Sequence, residues 1–193
     1  MRILLMGEGD SDEIVADALI HRSYPDAVIT PKRFAARGFQ VVWRSIPTLV
    51  RAAHFGFFDV LVIHFDINGT LLPDFGSVTE SKRFQNISMS VSESHNSLPD
   101  PGRTHALRTV LMAPCQSVEA WLGWGGEGGD GNLWERKAQK DLKKYLFGEP
   151  ALNIVEKSKL RIPELISQMV GNPEWPISLR EFDASLDRAL NLR

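Results

Sequence analysis

The sequence contains a single cysteine, Cys115, and therefore cannot form an internal disulfide. Its five histidines show no metal-ligand spacing, which excludes a zinc site built from cysteine and histidine. No stretch reaches the ~18 consecutive apolar residues that a transmembrane helix requires. The first residues, MRILLMGEGDSDE, combine one arginine with a short apolar run and then acids, which is not typical of a secretory signal. These absences predict a cytoplasmic protein that folds without disulfides and does not enter a membrane.

Neither sign of charge is in large excess. The 22 basic and 24 acidic residues give a net charge of −2, which excludes a protein that holds nucleic acid by overall charge alone but allows local basic patches. The length of 193 residues indicates one compact domain, or a domain with a small extension. A chain of this size buries roughly 70% of its unfolded surface, so it needs no structural metal to fold.

Hydrophobic periodicity predicts an α/β protein. Short apolar runs predict strands at 2–6, 59–65 and 107–113, and a weaker strand is expected at 27–30. The run DVLVIHF at 59–65 is typical of a central strand that is covered on both faces. Helices are predicted from helical spacing at about 12–22, 44–55, 118–122, 134–146, 151–160, 162–170 and 178–191. The expected fold is a mostly parallel sheet flanked by helices, with a helical C-terminal extension.

Two segments are predicted to be irregular. Residues 70–104 are rich in Ser, Asn, Pro, Asp and Gly and have weak periodicity, which indicates a long loop of the kind that often carries function. The stretch GWGGEGGDGN at 123–132 is expected to be flexible because of its glycine content. The predicted organisation is therefore an α/β domain at 1–125 with the insertion 70–104, and a helical extension at 126–193 packed on the same core.

Three acidic residues share one predicted context. Glu8 follows the first strand, Asp66 follows the central strand, and Glu119 lies in the first turn of the helix after the third strand. In open α/β sheets, sites form at the carboxyl ends of the strands. Converging carboxylates are suited to Mg²⁺ or Mn²⁺, because these ions prefer oxygen ligands, and such an ion can activate a phosphoryl group. The sequence therefore predicts a divalent-metal site at this edge.

The same turns resemble a known family. The turn GEG at 7–9 and the turn DING at 66–69 are similar to the Toprim fold of topoisomerases, primases and overcoming-lysogenization-defect nucleases. The block PCQSVEAWL at 114–122 resembles the segment P-x-x-x-(I/V)-E-x-W-L of small stand-alone Toprim-like proteins of unknown function, which are encoded beside ATPases in bacterial defence loci. The resemblance covers residues 1–125 in scattered blocks.

Position by position, the resemblance implies that Glu8 is the general base or a metal ligand, Asp66 the principal metal ligand and Glu119 an accessory acid. The chain departs from the family at Asn68, which replaces the second aspartate and offers a carbonyl oxygen without negative charge. Asp12, in the first turn, is expected to compensate, as is its neighbour Asp10. The implied activity is a Mg²⁺- or Mn²⁺-dependent nuclease that cuts DNA or RNA as the effector of an antiviral defence system with an ATPase partner. A homo-oligomer is compatible with this interpretation.

A polyanionic substrate needs cations close to the acidic site, because carboxylates alone repel phosphates. Arg103, His105 and Arg108 lead from the predicted loop into the third strand and are expected to face the substrate. The lysines of 137–144 are more typical of a solvated helix face. His64 lies within an apolar strand and is expected to be a hydrogen-bonded core residue rather than a catalytic one.

Two other functions stay open. Asn68 favours a binding or regulatory module that keeps the Toprim shape without catalysis. The segment FDINGTLL at 65–72 also resembles the Asp-x-Asp-Gly-Thr motif of haloacid-dehalogenase-type phosphatases, in which Asp66 would attack phosphorus directly. That motif normally follows the first strand, whereas here more than 60 residues precede it, and Asn68 cannot donate the proton that the second aspartate supplies. The nuclease is therefore preferred.

Overall fold

The computed structural model describes residues 1–34, 38–67, 77–99, 106–149, 153–170 and 172–191. Within these ranges the chain forms a four-stranded parallel sheet with strand order β2-β1-β3-β4. The strands are β1 (Arg2–Met6), β2 (Val28–Pro31), β3 (Val60–His64) and β4 (Arg108–Met112). Leu4 pairs with Thr30 on one side and with Leu61 on the other, and all five residues of β3 are buried. The predicted α/β class, the parallel sheet and the central position of the 59–65 run are confirmed.

Helices cover both faces of the sheet. They are α1 (Asp10–Ser23), α2 (Phe39–Phe55), α3 (Lys82–Asn96), α4 (Val118–Glu127), α5 (Gly131–Glu135), α6 (Gln139–Phe147), α7 (Ile154–Met169) and α8 (Ile177–Asn191), with a 3₁₀ turn at Val78–Glu80. Because side chains alternate along a strand, Ile3 and Leu5 of β1 enter one core and Leu4 and Met6 the other. Helices α1 and α4 to α8 contribute to the first core, whereas α2 and α3 pack on the second. No helix in these ranges is long and apolar enough to cross a membrane.

The segment predicted to be a long loop contains a helix. Helix α3 occupies Lys82–Asn96, so the loop prediction for 70–104 is wrong over these residues. Its apolar stripe is narrow: Ile87 is fully buried, and Phe84 and Val91 pack against the second core at helical spacing. Serines and other polar residues fill the remaining positions and weaken the periodic signal in the sequence. The described part of the segment is 77–99, and the rest lies outside the described residues.

The glycine-rich stretch is also more regular than predicted, since α4 continues to Glu127 through three of its glycines. A Cβ atom at Gly125 would lie 2.5 Å from the Cα atom of Leu165 in α7, and one at Gly123 would lie 2.4 Å from the ring of Trp134. These glycines therefore allow close packing rather than flexibility. The helical boundaries differ as well: α7 continues through Pro163, and the predicted helix at 134–146 is divided between α5 and α6.

A buried carboxylate joins three of the helices of the first core. Glu135 of α5 accepts hydrogen bonds from the indole Nε1 of Trp121 in α4, at 3.2 Å, and from the hydroxyl and the backbone N–H of Ser178 in α8. Burial raises the pKa of Glu135, and the hydrogen bonds from Ser178 and Trp121 oppose this shift only in part. Glu135 therefore binds its proton more tightly in the folded state than in the unfolded state.

We expect this carboxyl group to make stability depend on pH. A carboxyl whose pKa is higher in the folded than in the unfolded state binds its proton more tightly when folded, so the free energy of unfolding falls as pH rises from the ordinary value of 4.5 through the raised pKa. The Glu135→Gln variant cannot titrate at this position. Urea denaturation of both proteins between about pH 4 and 8 should show the wild type losing stability relative to the variant. A difference that does not change with pH would contradict the raised pKa.

Candidate active site at the carboxyl edge of the sheet

The residues that follow β1 and β3 meet at one edge of the sheet, where the strands end. These two strands are neighbours in the middle of the sheet. After β1 the chain passes through α1 to β2, which lies on one side of β1. Helix α2 then leads back to β3, which lies on the other side of β1. Ligands of open α/β sheets bind at such a reversal of strand order. Glu8 and Asp66 are therefore at the position where this architecture forms binding sites.

Glu8 and Asp66 are in direct contact. The backbone N–H of Asp66 donates a hydrogen bond to Glu8 Oε1 at 2.9 Å. Asp66 is 6% exposed; its Oδ2 accepts a hydrogen bond from Gln139 Nε2 at 3.1 Å, and its carbonyl oxygen accepts one from Arg83 Nη1 at 3.0 Å. Asp66 Oδ1 is buried and has no hydrogen-bond partner in the part of the chain that the structure describes. The surrounding residues thus fix this carboxylate and leave Oδ1, which faces His64, without a hydrogen bond.

His64, the last residue of β3, is fully buried beside these acids. Its Nδ1 lies 3.2 Å from Asp12 Oδ2, and its Nε2 lies 3.6 Å from Asp66 Oδ1. Burial by itself lowers the pKa of His64, but the carboxylates of Asp12, Asp66 and Glu8 outweigh it and raise that pKa to about 9. The predicted core position is confirmed. The sequence did not indicate that this imidazole would lie between two acids.

The two acids at the strand ends have perturbed pKa values of their own. Burial is the largest cause that raises the pKa of Asp66; His64 lowers it, and the neighbouring carboxylates of Asp12, Glu8 and Glu119 raise it again. Burial also raises the pKa of Glu8, opposed by the hydrogen bond from the Asp66 N–H and by His64. Both acids therefore hold their protons more tightly than free carboxyl groups, mainly because of burial, and a bound cation would relieve the added repulsion from the neighbouring carboxylates.

Glu119 lies at the same edge without a direct contact to Glu8 or Asp66 among the contacts of the described residues. It is 2% exposed in the first turn of α4, and its Oε1 is 3.9 Å from Lys143 Nζ of α6. It is near enough to Asp66 to raise the pKa of that residue. The structure therefore brings Glu119 into the same electrostatic environment, where Lys143 partly balances its charge.

The metal site predicted from the sequence is incomplete in the described ranges. No group of three or more His, Cys, Asp or Glu side chains there is arranged to hold a metal ion. The predicted ligand Asn68 lies outside the described residues, and the Oδ2 atom of Asp12 lies beside His64. Glu8, whose carboxylate accepts a hydrogen bond from the backbone N–H of Asp66, and Asp66 itself remain as candidate oxygen donors.

The predicted substrate-facing residues do not gather at this edge. Arg103 and His105 lie outside the described residues. Arg108 is the first residue of β4, and its guanidinium donates to the carbonyl oxygen of Ala189 in α8. A residue that begins a parallel strand is at the opposite edge of the sheet from residues that follow the strands. The cation that the structure places at Asp66 is instead Arg83, which the sequence analysis missed because it lies in the segment predicted to be a loop.

The carboxyl edge thus contains an acidic pair, a buried histidine and an arginine: His64 and Asp66 come from the end of β3, Glu8 from the turn after β1 and Arg83 from α3. Comparison of the chain with models of known protein families, with curated proteins and with solved structures finds no match.

Proposed function

We propose that the protein is a divalent-metal-dependent nuclease that hydrolyses phosphodiester bonds of DNA or RNA at the edge where β1 and β3 end. The observation that supports this proposal is the contact of Glu8 with Asp66 at the reversal of strand order, together with the buried and unbonded Asp66 Oδ1. Carboxylates in this position are the ligands that hard divalent cations prefer. Carboxylates gathered where a ligand site is expected are therefore the basis of the proposal.

The donor chemistry of the site suits Mg²⁺ or Mn²⁺. Asp66 would hold the ion through Oδ1, since its Oδ2 already accepts a hydrogen bond from Gln139. The Glu8 carboxylate, which accepts a hydrogen bond from the backbone N–H of Asp66, would be a second oxygen donor. A bound ion would supply Lewis-acid activation of the phosphodiester. Glu8, with its raised pKa, is suited to accept the proton of the attacking water. Arg83 adds positive charge beside Asp66 for a phosphate group.

The resemblance of the 114–122 block supports a biological role for this activity. Under the proposal, the nuclease is the effector of an antiviral defence system and works with an ATPase partner. The nearly neutral net charge fits an effector that needs a partner, or a local patch, to hold a polyanion.

The experiment is a cleavage assay on labelled DNA and RNA with Mg²⁺ or Mn²⁺. The Asp66→Asn variant, which keeps the size of the side chain, is expected to abolish cleavage, and Glu8→Gln to lower the rate by about 10²- to 10⁴-fold. Asp17→Asn is the matched control, because Asp17 lies in α1 with half of its side chain exposed and pairs with His21. Calorimetry should show saturable Mn²⁺ binding that Asp66→Asn removes. Undiminished cleavage by both variants, with circular dichroism showing that they are folded, would reject the proposal.

A second function, a binding module without catalysis, is favoured by the lack of a three-ligand metal group in the described ranges. It predicts nucleic-acid or partner binding with no heat of Mn²⁺ binding and no cleavage. The phosphatase hypothesis predicts turnover of p-nitrophenyl phosphate without nuclease activity. The same preparation of protein therefore separates all three functions.

A further inference from the structure

An aromatic cluster lies next to the candidate active site and has no part in the chemistry described above. Phe39 is in the first turn of α2, and its ring centroid is 6.1 Å from that of Trp43 and 6.2 Å from that of Phe65. Phe65 directly precedes Asp66. Arg83 connects the cluster to the acidic pair: its Cζ atom is 4.4 Å from the Phe39 centroid, and its Nη1 donates to the carbonyl oxygen of Asp66.

Trp43 is the exposed member of this cluster. It is 37% exposed, whereas Trp121 and Trp124 are fully buried and Trp134 is 8% exposed. Val42 and Ile46 fill the buried face of this part of α2, and both are inaccessible to solvent. Trp43 therefore lies at the margin of the core, with part of its ring open to solvent.

The topology explains why this ring is near the acids. Helix α2 connects the end of β2 to the start of β3, so its first turns lie at the same edge of the sheet as Glu8 and Asp66. Basic side chains accompany the aromatic cluster: Arg44 follows Trp43 in α2, and Lys82 precedes Arg83 in α3. Both Arg44 and Lys82 are exposed. A partly open aromatic ring that packs on Phe39, whose own ring contacts Arg83, is suited to bind an unpaired base beside a proposed site of phosphodiester hydrolysis.

We infer that Trp43, supported by Phe39, stacks against an unpaired nucleobase, and that the substrate of the acidic site is single-stranded nucleic acid. The inference rests on the proposed function for the reaction at the adjacent acids. Base stacking on an aromatic side chain tolerates any sequence, because every base has a flat face. In a duplex these faces are covered by neighbouring bases, so the ring selects single strands.

Fluorescence anisotropy of labelled oligonucleotides, measured in EDTA so that no cleavage occurs, tests the inference. Wild type is expected to bind oligo-dT or oligo-U more tightly than a duplex of the same length. Trp43→Ala should weaken single-strand binding by about 5- to 150-fold, which corresponds to ~1–3 kcal/mol for one stacked base. Trp43→Phe keeps an aromatic face and should retain most of the affinity.

Intrinsic fluorescence locates the contact independently of affinity. Oligo-dT should quench tryptophan emission of the wild type, and Trp43→Phe should lose this quenching while it still binds. Trp175→Phe is the matched control, since Trp175 is half-buried against the first core, and it should keep both the quenching and the affinity. Unchanged affinity of Trp43→Ala, or equal binding of duplex and single strand, would overturn the inference.

Cleavage assays with Mn²⁺ distinguish failure of this inference from failure of the proposed function. Efficient cleavage of duplex by both the wild type and Trp43→Ala would overturn the inference and leave the nuclease in place. Trp43-dependent binding of single strands with no cleavage of any substrate would support base stacking on Trp43 and reject the nuclease.

Discussion

Replacing Asp12 with asparagine is expected to lower the free energy of unfolding by about 3 kcal/mol. Asp12 Oδ2 is 3.2 Å from Nδ1 of His64, whose side chain is fully buried at the end of β3. Removing one partner of a buried ion pair leaves the other charge uncompensated, which costs ~3–5 kcal/mol. The lower end of that range applies because Asp66 remains 3.6 Å from the other ring nitrogen of His64. Urea denaturation at neutral pH in EDTA measures the loss.

The pH dependence of this effect identifies His64 as its source. A histidine whose pKa is raised to about 9 contributes stability that is fully present below its ordinary value of 6.5 and is lost as pH rises through about 9. The difference between wild type and Asp12→Asn should therefore shrink in alkaline solution. Asp17→Asn, in the same helix but with its side chain half exposed, should change stability by less than about 1 kcal/mol. Equal losses in the two variants would contradict a buried pair at Asp12.

Replacing Gly125 with alanine is expected to lower the free energy of unfolding by about 1–3 kcal/mol. The added Cβ would lie 2.5 Å from the Cα atom and 2.7 Å from the backbone nitrogen of Leu165. Backbone atoms within a helix cannot move aside as the end of a side chain can, so α4 and α7 would have to separate. Thermal or urea denaturation measures this loss in the free energy of unfolding.

The neighbouring glycine provides a matched control. A Cβ at Gly126 would meet only side-chain ends, Arg161 Nη1 at 2.6 Å and Glu164 Oε2 at 3.2 Å, and these can rotate away. Alanine also favours a helix over glycine by up to ~1 kcal/mol, so Gly126→Ala should be neutral or stabilising. A similar loss in both variants would contradict the close contact of α4 with α7 at Gly125.

Much of the fold could be predicted from local patterns. The run at 59–65 is continuously apolar, and a strand with that pattern has to be covered on both faces, so its central position followed directly. The hydrophobic pattern gave a wrong prediction where an element buries little apolar surface. Helix α3 buries Ile87 completely but exposes a polar face rich in serine, so its sequence is similar to that of a loop.

Some residues of the candidate site could likewise be predicted from the sequence, and others could not. Glu8 and Asp66 could be paired from the sequence because residues that follow adjacent parallel strands must lie at one edge of the sheet, and the structure brings them into contact. Neither Arg83 nor the charge state of His64 could be predicted in this way. Arg83 reaches Asp66 only because α3 packs on the second core. The pKa of His64 in β3 depends on Asp12, which belongs to α1.

The sequence by itself determined the α/β class, the order of most elements and the edge at which acidic side chains would gather, because each depends on residues that are close along the chain. Only the tertiary structure decided which charges and rings surround those acids. His64, Arg83 and Trp43 are separated from one another by many residues, and packing of α1, α2 and α3 around the sheet is what places them at the ends of β1 and β3. Contacts of that kind arise from the three-dimensional arrangement of whole elements, which no local pattern contains.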